Sequence, residues 1–161
     1  MIDSSAFKNA MALLSGAVSV ITSDGPAGRC GFTASAVCSV TDSPPTLLVC
    51  MNQASQSHGA FRRNAVLAVN VLAGAHQDLA SVFASRDLSM EQRFAASNWT
   101  SLPSGAPGMD EALVCFDCRI AHHHEVGTHT VFYCEIDSLA VSDNQEALVY
   151  FNRAFHRLGA A

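Results

Sequence analysis

The 161-residue chain contains a single lysine, Lys8, and only 14% charged residues, with a formal net charge of −5. Proteins that hold a nucleic-acid backbone do so with clustered basic side chains that release counterions. That partner class is therefore excluded. No run approaches the ~20 apolar residues that a membrane-spanning helix needs. The opening Met1-Ile2-Asp3-Ser4-Ser5 lacks the basic region and apolar run of an export signal. The expectation is a cytoplasmic protein with no membrane partner. There is no GxGxxG, no Walker sequence and no Gly-x-Ser-x-Gly elbow. Any nucleotide must therefore be held in another way, and a serine hydrolase has no support. Repeats, low-complexity blocks and linkers are missing too, so residues 1–161 read as one domain.

Apolar side chains are abundant. At 49% hydrophobic residues in a chain of 17.0 kDa, there is more apolar material than one small globule readily hides. A homodimer that covers the surplus is the expectation. The six cysteines (Cys30, Cys38, Cys50, Cys115, Cys118, Cys134) lie in apolar runs, which predicts reduced, chemically idle thiols. His122-His123-His124, His129 and Cys115-x-x-Cys118 raise the question of zinc. On a strand, however, the two cysteines point to opposite faces, and no second pair completes a tetrahedral set, so no metal is expected.

Hydrophobic spacing predicts a short amphipathic helix from a cap at Ser4 or Ser5 through Phe7, Ala10, Met11 and Leu14 to Gly16. A hairpin follows, with strands Ala17 to Thr22 and Arg29 to Val40 around Asp24-Gly25-Pro26-Ala27-Gly28. Pro44-Pro45 precedes a strand of the fully buried kind, Thr46 to Met51. Further on, the pattern predicts helices at Ser55 to Arg63, Gln77 to Ala84 and Met90 to Ala96, and strands at Val66 to Leu72, Ala112 to Ile120, Thr128 to Val141 and Ala147 to Phe151. A Pro/Gly-rich loop spans Pro103 to Gly108. Strands outnumber helices, and their joins suggest a mainly β, closed antiparallel barrel decorated with short helices.

Two segments carry candidate chemistry. Gly31 to Val40 places small residues where a central strand normally carries bulk, so a flat ligand can approach its backbone. Alternation puts the hydroxyls of Thr33, Ser35 and Ser39 on one face as donors. Asn52 to His58 runs from a strand end into a helix start, where free N–H groups suit a phosphate or a heterocycle edge. Each segment alone also reads as ordinary packed structure, a tight strand and a capped helix.

Gly31 to Pro45, with its double-proline exit, resembles the flavin-binding strand of the short-chain flavin reductases of the FMN-binding split-barrel fold, an antiparallel barrel of Greek-key type. Thr46 to Asn52 resembles the family's following strand, Phe83-Ala84 and Glu91-Gln92-Arg93-Phe94 its helical insertion, and Gly127-Thr128-His129 its nicotinamide-side motif. Leu148 to Phe151 with Phe155-His156 resembles its C-terminal signature. Where many relatives carry an acid between the glycine and the histidine, this chain has Thr128. Reductases of pyrimidine breakdown and of 4-hydroxyphenylacetate hydroxylation are the most similar branches. A corrinoid-reducing branch shares the C-terminal pattern.

The resemblance implies flavin contacts at Thr33, Ala34, Ser35 and Ala36, at Cys50, Met51, Asn52, Gln53, Ala54, Ser55 and Ser57, and at Phe83 and Ala84. It also implies nicotinamide contacts at His129, given the catalytic role, and at Tyr150, with Phe155 beside it. The implied activity is hydride transfer from NADH, with NADPH as the alternative, to FMN or FAD, and the implied partner is a monooxygenase that receives reduced flavin. A non-catalytic split-barrel binder of flavin or haem is the rival reading. His129 and Tyr150 discriminate, since storage has no use for a nicotinamide clamp.

Overall fold

The computed structural model describes residues 1–159. Helix α1 (Ser4–Met11) is capped by Asp3, whose carboxylate accepts the N–H groups of Ser5 and Ala6. The cap thus falls one residue before the two serines expected to supply it. Strands β1 (Gly16–Ala17), β2 (Ser19–Ser23), β3 (Cys30–Ala34), β4 (Val37–Asp42) and β5 (Pro45–Asn52) follow, then α2 (His58–Asn64), β6 (Val66–Val71), α3 (Gln77–Ala84) and α4 (Met90–Phe94). The chain finishes with β7 (Trp99–Ser101), β8 (Pro107–Met109), β9 (Val114–Val126), β10 (His129–Val141), β11 (Ala147–Phe151) and β12 (Ala154–Leu158).

Seven strands form one antiparallel sheet in the order β3-β2-β6-β9-β10-β5-β4. Its two edge strands, β3 and β4, are neighbours in sequence, joined only by Ser35 and Ala36. The three Cα–Cα steps from Ala34 to Val37 span at most ~11 Å, so the sheet must curl until its edges approach each other. The result is the expected split barrel, closed at the seam by the chain itself rather than by a ladder between edges. The expected single strand from Arg29 to Val40 is therefore two. Small residues hide such a break from a periodicity argument, because a bend at Ser35-Ala36 removes no bulky anchor.

Alternation along the strands fills two cores. Val20, Ala68, Cys115 and Leu148 pack with Leu79, Phe83 and Phe94 of α3 and α4 outside the sheet, while Ile21, Leu67, Val69, Val49 and Phe132 fill the barrel around Phe61 of α2. Gly31 is required by this packing. A Cβ there would stand 2.8 Å from the Phe83 ring and 3.0 Å from the carbonyl oxygen of Ile21.

Strand β5 departs from the expected fully buried strand. Leu47, Val49 and Met51 are buried, but Leu48 and Cys50 on its other face are half-exposed. Helix α1 buries none of its residues. Two more strands than expected, β7 and β8, pair with each other around the Pro/Gly-rich loop, and β12 was not anticipated, because its tight turn Asn152-Arg153 has no glycine to announce it.

Candidate active site

The seam of the barrel opens into a slot with two lobes that share Thr33, Ala84 and Ser85. The narrow lobe, about 350 Å³, runs between β3, the loop after β5 and the end of α3. It is lined by Thr33, Asn52, Ala54, Ser55, Ser57, Phe83 and Ala84 among others. The wide lobe, about 480 Å³, is bounded by Thr33, Ala34, Ser35 and Ala84 on one side and by Tyr150, Arg153 and Phe155 of the β11–β12 hairpin on the other. Two sequence segments and a helical insertion far apart in the chain thus meet along one strand edge.

That edge is chemically open. Val18 gives its carbonyl to Leu72 N–H, so alternate residues of β2 face β6, and those between them face β3. The backbone N–H and C=O of Gly31 and Thr33 then point away from β2, along the seam. Arg93 takes up the Gly31 carbonyl at 3.4 Å. Thr33 is left presenting a backbone donor and acceptor to the slot, which suits the mixed edge of a heterocycle. Its hydroxyl has a different task from the one expected. It donates to the Ala80 carbonyl at 2.6 Å and so ties β3 to α3.

Arg93 shapes the floor of the narrow lobe. It is 8% exposed, and its guanidinium donates to the carbonyls of Leu88, Gly31, Phe83 and Ser85. All four partners are neutral oxygens, and no carboxylate of the described residues pairs with it. A nearly buried cation whose charge meets only dipoles favours an anion beside it. Arg86 lines the same lobe. Neither was picked out as a site residue in the sequence. The available signal was two of only eight arginines flanking the end of the helix that carries Phe83-Ala84.

The remaining expected contacts divide. Met51 is 1% exposed and belongs to the barrel core, so its side chain is turned from the slot. Ala36 lines neither lobe; its carbonyl accepts the Cys50 N–H at 3.0 Å, and Cys50 sits on the outer face of β5. Ser39 is exposed on β4, beyond the bend at Ser35-Ala36 that breaks the alternation on which its placement relied. Gln53 buttresses the loop, its side-chain amide donating to the His129 carbonyl at 3.1 Å and its N–H to Thr128. His129 is exposed at the start of β10, paired in register with Asn52 and bonded through Nδ1 to Thr128 Oγ1 at 2.9 Å. It stands beside the narrow lobe through Asn52, and Tyr150 lies across the wide one.

Behind the loop, His58 Nε2 meets Thr130 Oγ1 at 2.8 Å, linking the first residue of α2 to β10. Desolvation, helped by Arg62 and His123 and opposed by Glu125, holds the His58 pKa below its usual value. Burial raises the thiols, Cys115 to about 11 and Cys30 and Cys134 to about 12, with Cys118 higher still. These groups stay protonated at neutral pH, and none lines the slot. Cys115 and Cys118 lie in the two different cores, on opposite sides of the sheet. Among the described residues, no three His, Cys, Asp or Glu side chains gather closely enough to share an ion.

A split barrel with this slot is the architecture of flavin-binding reductases, and comparison with known proteins agrees. Residues 11–159 match the flavin reductase like domain, and the chain belongs to that family. It is 50% identical over 160 residues to the FMN reductase (NADH) RutF of Methylorubrum extorquens, covering 99% of this chain and 78% of that protein. The flavin reductase component of a bacterial two-component tryptophan halogenase, BorF, superposes with a TM-score of 0.91 at 27% identity, covering 99% of this chain and 100% of the other. The NADH:FAD oxidoreductase of Streptomyces globisporus, solved with NAD and FAD fragments, gives a TM-score of 0.90 at 26% identity over 98% and 93% of the two chains.

Proposed function

We propose that this protein is the reductase component of a two-component oxygenase system, which uses NADH to reduce FMN or FAD and releases the reduced flavin to a monooxygenase in the cytoplasm. The observation that carries the reading is the open edge of β3. It offers backbone donor and acceptor groups at Thr33 beside a lobe floored by Arg93 and Arg86, with the aromatic pair Tyr150 and Phe155 on the far wall at 5.3 Å between ring centroids. The residues fit a flavin nucleotide. The arginines without carboxylate partners suit its phosphate, and the small side chains of Ala34, Ser35 and Ala84 admit a flat ring. The activities of the relatives, reduction of FMN and of FAD with NADH, support the same reading.

Bound flavin supplies the redox chemistry, accepting a hydride from NADH. The protein's part is placement. Thr33, fixed by Ala80, orients its backbone toward one edge of the ring and stabilises negative charge there. Tyr150 and Phe155 of the wide lobe would hold the nicotinamide against the flavin. His129 serves on the nicotinamide side. No thiol takes part.

A homodimer accounts for the unspent apolar surface. Leu48, Cys50, Val131 and Tyr133 share the outer face of β5 and β10 and are half-exposed, and Phe7 and Leu14 near α1 are 57% and 68% exposed. Light scattering should report twice 17.0 kDa. The activity itself is tested by mixing protein, NADH and FMN or FAD in air and following the nicotinamide absorbance. Steady NADH loss that needs both protein and flavin supports the reductase; flavin binding without turnover identifies a storage protein.

A further inference from the structure

Arg153 closes the wide lobe from a backbone position that few arginines occupy. It is the second residue of the turn Asn152-Arg153 between β11 and β12, where both residues hold left-handed backbone, φ 49° and 62°. Glycine and asparagine are the ordinary residues of such a turn, and a long side chain there carries a conformational cost. The turn is fastened to the N-terminal segment twice. Arg153 Nη2 donates to Asn9 Oδ1 at 2.6 Å, and Asn152 N–H donates to the Ala12 carbonyl at 2.6 Å.

The partner of Arg153 is neutral, and that sets it apart. Arg29, Arg62, Arg119 and Arg157 each meet a carboxylate. Among the described residues no carboxylate pairs with Arg63, Arg86, Arg93 or Arg153, and three of these four line the slot. In a chain of net charge −5, three of the five Lys and Arg side chains without an acid partner among the described residues (Lys8 and Arg63 are the others) line one cavity. Two stand in the narrow lobe, and Arg153 stands alone in the wide one, beside Tyr150 and Phe155. One bond to Asn9 leaves most of the guanidinium's five N–H donors available in a planar fork that matches phosphate oxygens.

We propose that Arg153, steadied by Asn9, holds the pyrophosphate of the nicotinamide dinucleotide and so sets the affinity for NADH. The proposal rests on the reductase reading above. A pyrophosphate reaches this protein from NADH or from FAD. The coenzyme is favoured because the narrow lobe already provides two arginines for the flavin phosphate, and Arg153 lies on the aromatic wall that faces the open side.

The test is steady-state kinetics on the purified full chain with FMN, so that only NADH brings a pyrophosphate. Arg153→Gly removes the cation and relaxes the turn, which keeps folding out of question. The expected result is an NADH KM raised about tenfold, as for one lost charge-assisted contact, with kcat within about twofold and FMN affinity unchanged. Added salt should raise the wild-type KM and leave that of Arg153→Gly nearly flat. Arg153→Lys, which keeps the charge and loses the fork, should fall between. An unchanged NADH KM in Arg153→Gly overturns the proposal. So does a loss of FAD affinity with NADH kinetics unmoved, which assigns the cation to the flavin. Wild-type protein that oxidises no NADH with either flavin overturns the reductase reading instead, and direct NADH binding to both proteins then decides the role of Arg153.

Discussion

The two edges of the barrel sheet are consecutive in the chain and opposite in character. On β3 the free edge is flanked by α3, crossed by Arg93 of α4, and presents Thr33 and Ala34 to the slot, small enough to let a ligand reach the backbone. On β4 the free edge is bare. Every residue from Cys38 to Asp42 is exposed, and none lines either lobe. An unpaired strand edge is a liability that proteins either cover or blunt. Here one edge borders the slot, and the other is left exposed, with Ser39, Thr41 and Asp42 interspersed with Cys38 and Val40. The lesson is that a split barrel creates its site by failing to close: the hydrogen bonds that β3 would have given to a neighbouring strand are the ones a ligand can take.

The largest expected effect concerns His129, paired with Asn52 beside the narrow lobe. His129→Ala should lower NADH turnover by roughly ten- to a thousandfold, or about 1.4 to 4 kcal/mol in the transition state, and leave FMN affinity nearly unchanged in a fluorescence titration. Loss of FMN binding with unchanged NADH kinetics would place His129 on the flavin side. Next comes the β3 edge itself. Arg93→Met keeps the length of the side chain and strands the carbonyls of Gly31, Phe83, Ser85 and Leu88. Thermal or urea unfolding should show a loss of roughly 2–4 kcal/mol, and FMN affinity should fall by at least about tenfold with the missing cation.

A smaller effect is tied to pH. Because desolvation lowers the His58 pKa from 6.5 in the folded protein, the unfolded chain binds the proton more readily. Stability is therefore full above 6.5 and declines as the pH falls from that value toward the lower folded pKa. His58→Gln should flatten this limb of the stability profile. The smallest effect belongs to the bare edge. Ser39→Ala should change FMN affinity less than about twofold, the scatter expected for an exposed surface substitution, whereas a larger drop would make the two edges alike.

Much of this contrast was legible in the sequence, and the rest was hidden for definite reasons. The 77–84 helix was read to the residue because Leu79, Ala80 and Phe83 mark one face without interruption. The hairpin of β2 and β3 was marked by Gly25, Pro26 and Gly28. What escaped was the bend at Ser35-Ala36. Without it Ser39 counts as sharing a face with Thr33; with it, the two residues stand on different edges of the sheet. The hydroxyl of Thr33 was expected to face a ligand, but its acceptor is the Ala80 carbonyl, 47 residues on, a tertiary contact that no local pattern displays. Arg86, Arg93 and Arg153 escaped for the same reason. Their lack of carboxylate partners is a property of the fold and cannot be read from spacing.

The difference between the edges can be measured by amide hydrogen exchange with and without FMN. Bound flavin should slow exchange at Thr33 to Ser35, in residues 53–57 and around Ala84 to Arg86, and should leave Cys38 to Asp42 unchanged. Protection confined to Cys38 to Asp42, or none along Thr33 to Ser35 at saturating FMN, would contradict the assignment of the β3 edge as the flavin seat.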